Sequence, residues 1–162
     1  MFSDDMLHEA ADLLDACRDA GLKLATAESC TGGLIAGLLT EIAGSSDVVE
    51  RGFVTYSNEA KQELIGVPVA TIESHGAVSE ATALAMAEGA LDNARADISV
   101  AVTGVAGPGG GSAAKPVGLV HLAAARRGRP TIHRECRFGD IGRTEVRIAS
   151  VRVALELIRR QL

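Results

Sequence analysis

The chain has 162 residues, 47% hydrophobic, 23% charged and 2% aromatic, with a formal charge of −5 at pH 7. That length fits one domain, residues 1–162, whose core needs neither disulfides nor metals to stand. The near absence of aromatic residues leaves no platform for stacking bases, and the acidic balance disfavours a phosphate backbone, so nucleic-acid binding is excluded. The apolar fraction excludes disorder. Asp4, Asp5 and Glu9 stand where a secretory signal would carry positive charge, and no apolar run reaches the ~18 residues of a membrane span. Cys17, Cys30 and Cys136 form no CxxC pair, which argues against a disulfide framework or a zinc site. A cytoplasmic protein with no membrane partner is expected.

In chain order, Ser3 is placed to cap a first helix whose Leu7, Ala10, Leu14 and Cys17 form one apolar stripe, ended by Gly21. Leu22–Ala27 reads as a strand, Thr31–Ala43 as a helix stopped by Gly44, and Val48–Tyr56 as the next strand. A short helix over Asn58–Ile65 ends at Gly66 and Pro68, and a loop through His75 and Gly76 leads to the Ala-rich helix Glu80–Leu91. Asp97–Thr103 is a buried strand, followed by the Gly/Pro loop TGVAGPGGGSAAKP. Val117–Ala125 and Thr131–Phe138 read as paired strands, and a last helix runs from Arg143 to Leu162. This order predicts an α/β fold, a three-layer α/β/α sandwich around a mixed, mostly parallel sheet. The last helix carries two apolar stripes, one through Val151, Leu155 and Ile158 and one through Val146, Val153 and Leu157. They fit either a subunit interface or a deeply buried helix.

Four places could carry chemistry. Glu28-Ser29-Cys30-Thr31-Gly32-Gly33 leaves a buried strand and enters a helix, where free backbone N–H groups gather. A hydroxyl there is either a cap or a nucleophile beside oxyanion donors. Tyr56, the sole tyrosine, precedes Lys61, which falls at the start of a helix where the dipole disfavours a cation. Lys61 is either a solvated lysine or one whose pKa is lowered toward that of a general base. The glycines from Gly104 onward are either a flexible connection or a close approach to a ligand. Arg143 and Arg147, one turn apart, are either surface arginines or a clamp for a phosphate or carboxylate. The histidines are scattered, those at His121 and His133 read as structural residues of a sheet, and Cys30 reads as a buried structural thiol. No spacing implies a metal or an organic cofactor.

The segments LATAESCTGGLIAGLLTEIAGSSDVVERGFVTYSNEAK, HGAVSEATALAMAEGA, VAVTGVAGPGGG and KPVGLVHLA resemble, in order, the CinA C-terminal domain family. That family includes stand-alone, PncC-type nicotinamide mononucleotide deamidases. The resemblance runs from Leu7 to the end and implies an α/β/α sandwich that forms homo-oligomers. It implies an amidohydrolase that converts nicotinamide mononucleotide to nicotinate mononucleotide and ammonia. Ser29 matches the family's nucleophile, and Tyr56 and Lys61 match the residues that activate it. Cys30, Thr31, Gly32, Gly104 and Arg143 are the implied substrate-binding residues, with the N–H groups around Cys30–Gly32 as oxyanion donors. Phe138-Gly139-Asp140-Ile141-Gly142-Arg143 is longer than the family's usual spacing, so the phosphate arginine is Arg143, Arg137 or Arg147. The alternative is a non-catalytic nucleotide-binding or regulatory module on the same fold.

Overall fold

The computed structural model describes residues 2–162. Its strands are β1 (Leu24–Glu28), β2 (Val49–Val54), β3 (Ile98–Gly104), β4 (Leu119–Arg126) and β5 (Arg129–Arg137). Its α-helices are α1 (Asp4–Asp19), α2 (Leu34–Glu41), α3 (Asn58–Ile65), α4 (Val69–His75), α5 (Glu80–Asp92) and α6 (Arg143–Arg160). The strands form one mixed sheet in the order β2-β1-β3-β4-β5. β1 pairs in parallel with β2 and β3, whereas β4 pairs antiparallel with β3 and β5. No helix among the described residues is long and apolar enough to cross a membrane.

Side chains alternate between the two faces of a strand, and here the alternation sorts them by size. Leu24, Ile98, Val100, Val102, Val120 and Leu122 face one core, shared with α1, α2 and α6. Ala25, Ala27, Ala101, Ala123 and Ala125 face the other, shared with α3, α4 and α5. The alanine face lets the Ala-rich helix α5 approach closely: the Ser99 hydroxyl on β3 donates to the Ala87 carbonyl at 2.6 Å. Gly89 carries the same logic to the next helix, since a Cβ there would fall 1.8 Å from the Ile65 carbonyl oxygen of α3. The expected three-layer α/β/α sandwich is therefore two apolar cores on the two faces of one sheet.

Both apolar stripes of α6 are used within the chain. Val146, Val151, Leu155, Leu157 and Ile158 are all buried in the core shared with α1 and α2. His121 on β4 and His133 on β5 meet ring to ring, with Nδ1 and Nε2 3.0 Å apart.

Several expectations shift. Ser3 occupies the N-cap position of α1, but its hydroxyl caps no N–H and instead accepts from Arg152 at 3.3 Å. α2 begins at Leu34 rather than Thr31, because Gly32 and Gly33 take φ of 59° and 100°, outside the helical region. α4 replaces the expected loop before His75; it buries only Ile72, so it has no apolar stripe to betray it.

Candidate active site

The chain passes from β1 to β2 on one side of β1 and then returns to β3 on the other. In open α/β sheets such a switch of direction opens a crevice at the carboxyl ends of the strands. A cavity of about 220 Å³ lies there, lined by Ser29 and Cys30 after β1, Thr103 and Gly104 at the end of β3, and Lys61 from α3. Tyr56, Asn58, Ala77, Val78, Ala106 and Arg143 complete its wall.

The strand pleat decides which way the first residues point. Glu28 is fully buried on the α2 side. Its Oε1 accepts from the Thr31 hydroxyl at 2.7 Å and the Ile35 N–H at 2.9 Å, and its Oε2 accepts from the Ala36 N–H at 3.0 Å. A carboxylate at a helix N-terminus satisfies orphan donors and complements the dipole. The next residue, Ser29, turns toward the α3 side, where its Oγ lies 3.1 Å from Lys61 Nζ.

Lys61 is 1% exposed. Its Nζ donates to the Thr55 carbonyl at 2.8 Å and approaches the Ser57 carbonyl at 3.5 Å. Burial pushes its pKa below the ordinary lysine value, because desolvation disfavours the charged form. The Ser57 hydroxyl caps α3 through the Ala60 N–H at 3.0 Å and fixes the helix that presents Lys61. A neutral amine beside a serine hydroxyl is the pairing needed to make an alkoxide nucleophile. Cys30 is the reverse case: burial raises its thiol pKa to about 11, which keeps the sulfur protonated and a poor nucleophile.

Tyr56 is 60% exposed, and its hydroxyl accepts from Arg143 Nη2 at 2.9 Å. Neither Ser29 nor Lys61 is among its hydrogen-bond partners in the described residues. Arg143 also donates through Nη1 to the Gly107 carbonyl at 2.8 Å, which ties the Gly-rich loop to the cavity mouth.

The remaining candidates divide. Thr31 and Gly32 do not line the cavity. The Thr31 hydroxyl is turned inward to Glu28, and the Gly32 N–H is taken by the Ser29 carbonyl at 3.0 Å, so neither group is available to a ligand. The N–H groups of Cys30 and Thr31 donate to no oxygen among the described residues. The helix end whose free N–H groups were expected beside Ser29 is already occupied by Glu28. Gly104 lines the cavity, but packing also demands a glycine there: a Cβ would fall 2.8 Å from the Leu119 carbonyl oxygen. Of the three arginines, Arg143 alone reaches the cavity. Arg137 pairs with Glu135 on β5, and Arg147 donates to the carbonyls of Cys30 and Thr31, each at 3.0 Å.

Sequence reasoning assigns no role to Glu28, Thr55, Asn58 or Thr103. An acidic residue ending an apolar strand signalled Glu28. Thr103 and Asn58 stood inside motifs already singled out, but nothing in their spacing separated them from their neighbours.

The family model of the CinA C-terminal domain matches residues 7–162. An Escherichia coli protein named nicotinamide-nucleotide amidohydrolase PncC is 48% identical over 162 residues, covering 99% of this chain and 97% of that one. A CinA-like protein of Mycolicibacterium vanbaalenii is 52% identical over 143 residues, which are 88% of this chain. The chain spans about a third of the length of that relative and of several others. The crystal structure of the competence/damage inducible protein CihA from Agrobacterium tumefaciens superposes with a TM-score of 0.97 at 58% identity, covering 99% of this chain and 97% of that one. A CinA superfamily protein from Escherichia coli superposes with a TM-score of 0.92 at 33% identity, covering 100% of this chain and 94% of that one. By its sequence and its fold, this chain belongs to the CinA C-terminal domain family.

Proposed function

We propose that the protein hydrolyses the carboxamide of nicotinamide mononucleotide to nicotinate mononucleotide and ammonia, with Ser29 as nucleophile and Lys61 as general base. The observation that carries this is the buried, pKa-lowered Lys61 amine 3.1 Å from the Ser29 hydroxyl inside a cavity. The name of the E. coli relative, similar along nearly its whole length, supports the substrate.

Neutral Lys61 takes the Ser29 proton as Oγ attacks the carboxamide carbon. The carboxamide oxygen then carries the negative charge, and the N–H of the cavity-lining Cys30, which has no oxygen acceptor among the described residues, is the donor for it. Lys61, now an ammonium, returns its proton to the leaving nitrogen, and ammonia departs. Water, deprotonated by the same amine, attacks the nicotinoyl ester, releases nicotinate mononucleotide and restores the Ser29 hydroxyl. The Thr55 carbonyl holds Nζ in place throughout.

The cavity, at about 220 Å³, is smaller than the ~300–1,000 Å³ usual for whole ligands. It suits the pyridine ring, leaving the ribose phosphate at the mouth where Arg143 and Tyr56 stand. We assign that pair to the phosphate end. Tyr56→Phe then raises KM more than it lowers kcat; the opposite split would give Tyr56 the activating role that the family resemblance implies.

The test is to incubate the protein with nicotinamide mononucleotide and follow ammonia together with nicotinate mononucleotide. Equal amounts of both from the wild type, and neither from Ser29→Ala, are expected. A folded wild type that releases no ammonia would favour the nucleotide-binding module. Equal rates for wild type and Ser29→Ala would remove Ser29 from the chemistry.

A further inference from the structure

Arg147 stands one turn into α6 and does not line the cavity. It still reaches the nucleophile turn, where Nε donates to the Cys30 carbonyl and Nη2 to the Thr31 carbonyl, each at 3.0 Å. A guanidinium spanning two successive carbonyls fixes the orientation of both peptide planes, which a single donor cannot do.

Across a trans peptide the C=O and the following N–H point in opposite directions. Holding the Cys30 carbonyl toward Arg147 therefore turns the Thr31 N–H away from Arg147. Of the N–H groups in this turn, Gly32's is committed to the Ser29 carbonyl, while those of Cys30 and Thr31 have no oxygen acceptor among the described residues. A cation on the carbonyl side also polarises the peptide and makes its N–H a stronger donor. From the other flank, Glu28 grips the same turn through the Thr31 hydroxyl and the start of α2. Gly32 takes φ of 59° in this turn, a left-handed conformation that other residues rarely adopt.

We infer that Arg147 is a positioning residue for the Ser29 turn, holding through two carbonyls the backbone that carries Ser29 and the cavity-lining Cys30 rather than binding the substrate phosphate. This rests on Ser29 being the nucleophile and deepens the function proposed above.

The test compares wild type, Arg147→Lys and Arg147→Met by hydrolysis of nicotinamide mononucleotide. In parallel, the rate at which a fluorophosphonate modifies Ser29 is followed by intact mass. The phosphonate arm needs no nucleotide substrate. Loss of one oxyanion donor typically lowers kcat by about 10²–10³-fold. Arg147→Met is expected to lower kcat and the phosphonylation rate by about 100-fold with KM within about three-fold of wild type, and methylguanidinium is expected to restore part of both. Arg147→Lys should fall between the two, and if Arg147→Met does not fold, this variant carries the comparison. The pH at half-maximal rate should stay where wild type has it, since the base is untouched.

Rates within three-fold of wild type in folded Arg147→Met would overturn the inference. So would a loss confined to KM, which would make Arg147 a substrate ligand. A wild type that phosphonylates at Ser29 in an Arg147-dependent way, yet leaves nicotinamide mononucleotide intact, would sink the substrate reading alone. No phosphonylation of wild-type Ser29 would overturn both.

Discussion

Lys61 Nζ and Ser29 Oγ lie 3.1 Å apart although 32 residues separate them in the chain. The lysine reaches the serine from the first helix after β2, through a stem that is 1% exposed. Among the described residues no carboxylate hydrogen-bonds its amine; the Thr55 and Ser57 carbonyls and the serine surround it. An amine so placed is stable as a neutral base and costly as an ammonium.

This has a consequence for pH. Burial lowers the Lys61 pKa in the fold, whereas the unfolded chain keeps the ordinary value of about 10.4. Between those two values the unfolded chain binds the extra proton, so stability rises with pH and the gain is complete above about 10.4. Lys61→Met should abolish turnover, flatten this part of the stability profile and raise the melting temperature at neutral pH. Thermal melts of both proteins from pH 6 to 10 check it; a lower melting temperature for the variant would mean that the ammonium is stabilised in the fold.

Glu28 should matter for stability more than its position beside Ser29 suggests. Its carboxylate accepts from Thr31, Ile35 and Ala36 with no exposure to water. In Glu28→Gln one oxygen becomes an NH₂ group facing a donor, and an unsatisfied buried donor costs about 1–3 kcal/mol. Urea unfolding should show a loss of about 2 kcal/mol, and a variant as stable as wild type would refute the cap.

Gly89→Ala sets local preference against packing. Alanine favours a helix interior by about 1 kcal/mol over glycine. The new Cβ, however, would fall 1.8 Å from the Ile65 carbonyl oxygen, which belongs to backbone and cannot rotate away. Overpacking costs about 1–3 kcal/mol and more where backbone must move. The variant is expected to melt lower than wild type, with α3 displaced enough to slow turnover through Lys61. A higher melting temperature would show that α3 and α5 separate freely.

Thr55 is the opposite experiment. Its hydroxyl is the one buried side-chain polar atom without a hydrogen-bond partner among the described residues, while its carbonyl holds Lys61. Thr55→Val keeps the shape and the carbonyl and removes the orphan. Stability should rise by about 1 kcal/mol with kcat within two-fold of wild type. A loss of stability would mean that the hydroxyl has a partner in solution.

Periodicity and glycine placement were enough to lay out most of the fold. The strand–helix order, the hairpin and the last helix follow from apolar spacing, and the glycines at 21, 44 and 66 mark element ends where φ is positive. α4 was invisible because one buried residue makes no pattern. The sequence puts the start of α2 at Thr31 and the structure puts it at Leu34, because Gly32 and Gly33 fit either a tight helix start or a left-handed turn.

For the site, the sequence by itself determined the residue types: a hydroxyl after a buried strand, a lysine at the start of a helix, and arginines near the last helix. Only the tertiary structure decided what each one meets. Strand alternation sends Glu28 to one side of the sheet and Ser29 to the other, and the switch in strand order opens the crevice between β1 and β3. Arg143 and Arg147 look equivalent one turn apart, yet the roll of α6 puts the first at the cavity mouth and the second on the carbonyls behind the serine. Spacing along a chain fixes which residues share a helix face. It cannot fix which backbone that face meets, because the meeting depends on how separate elements pack.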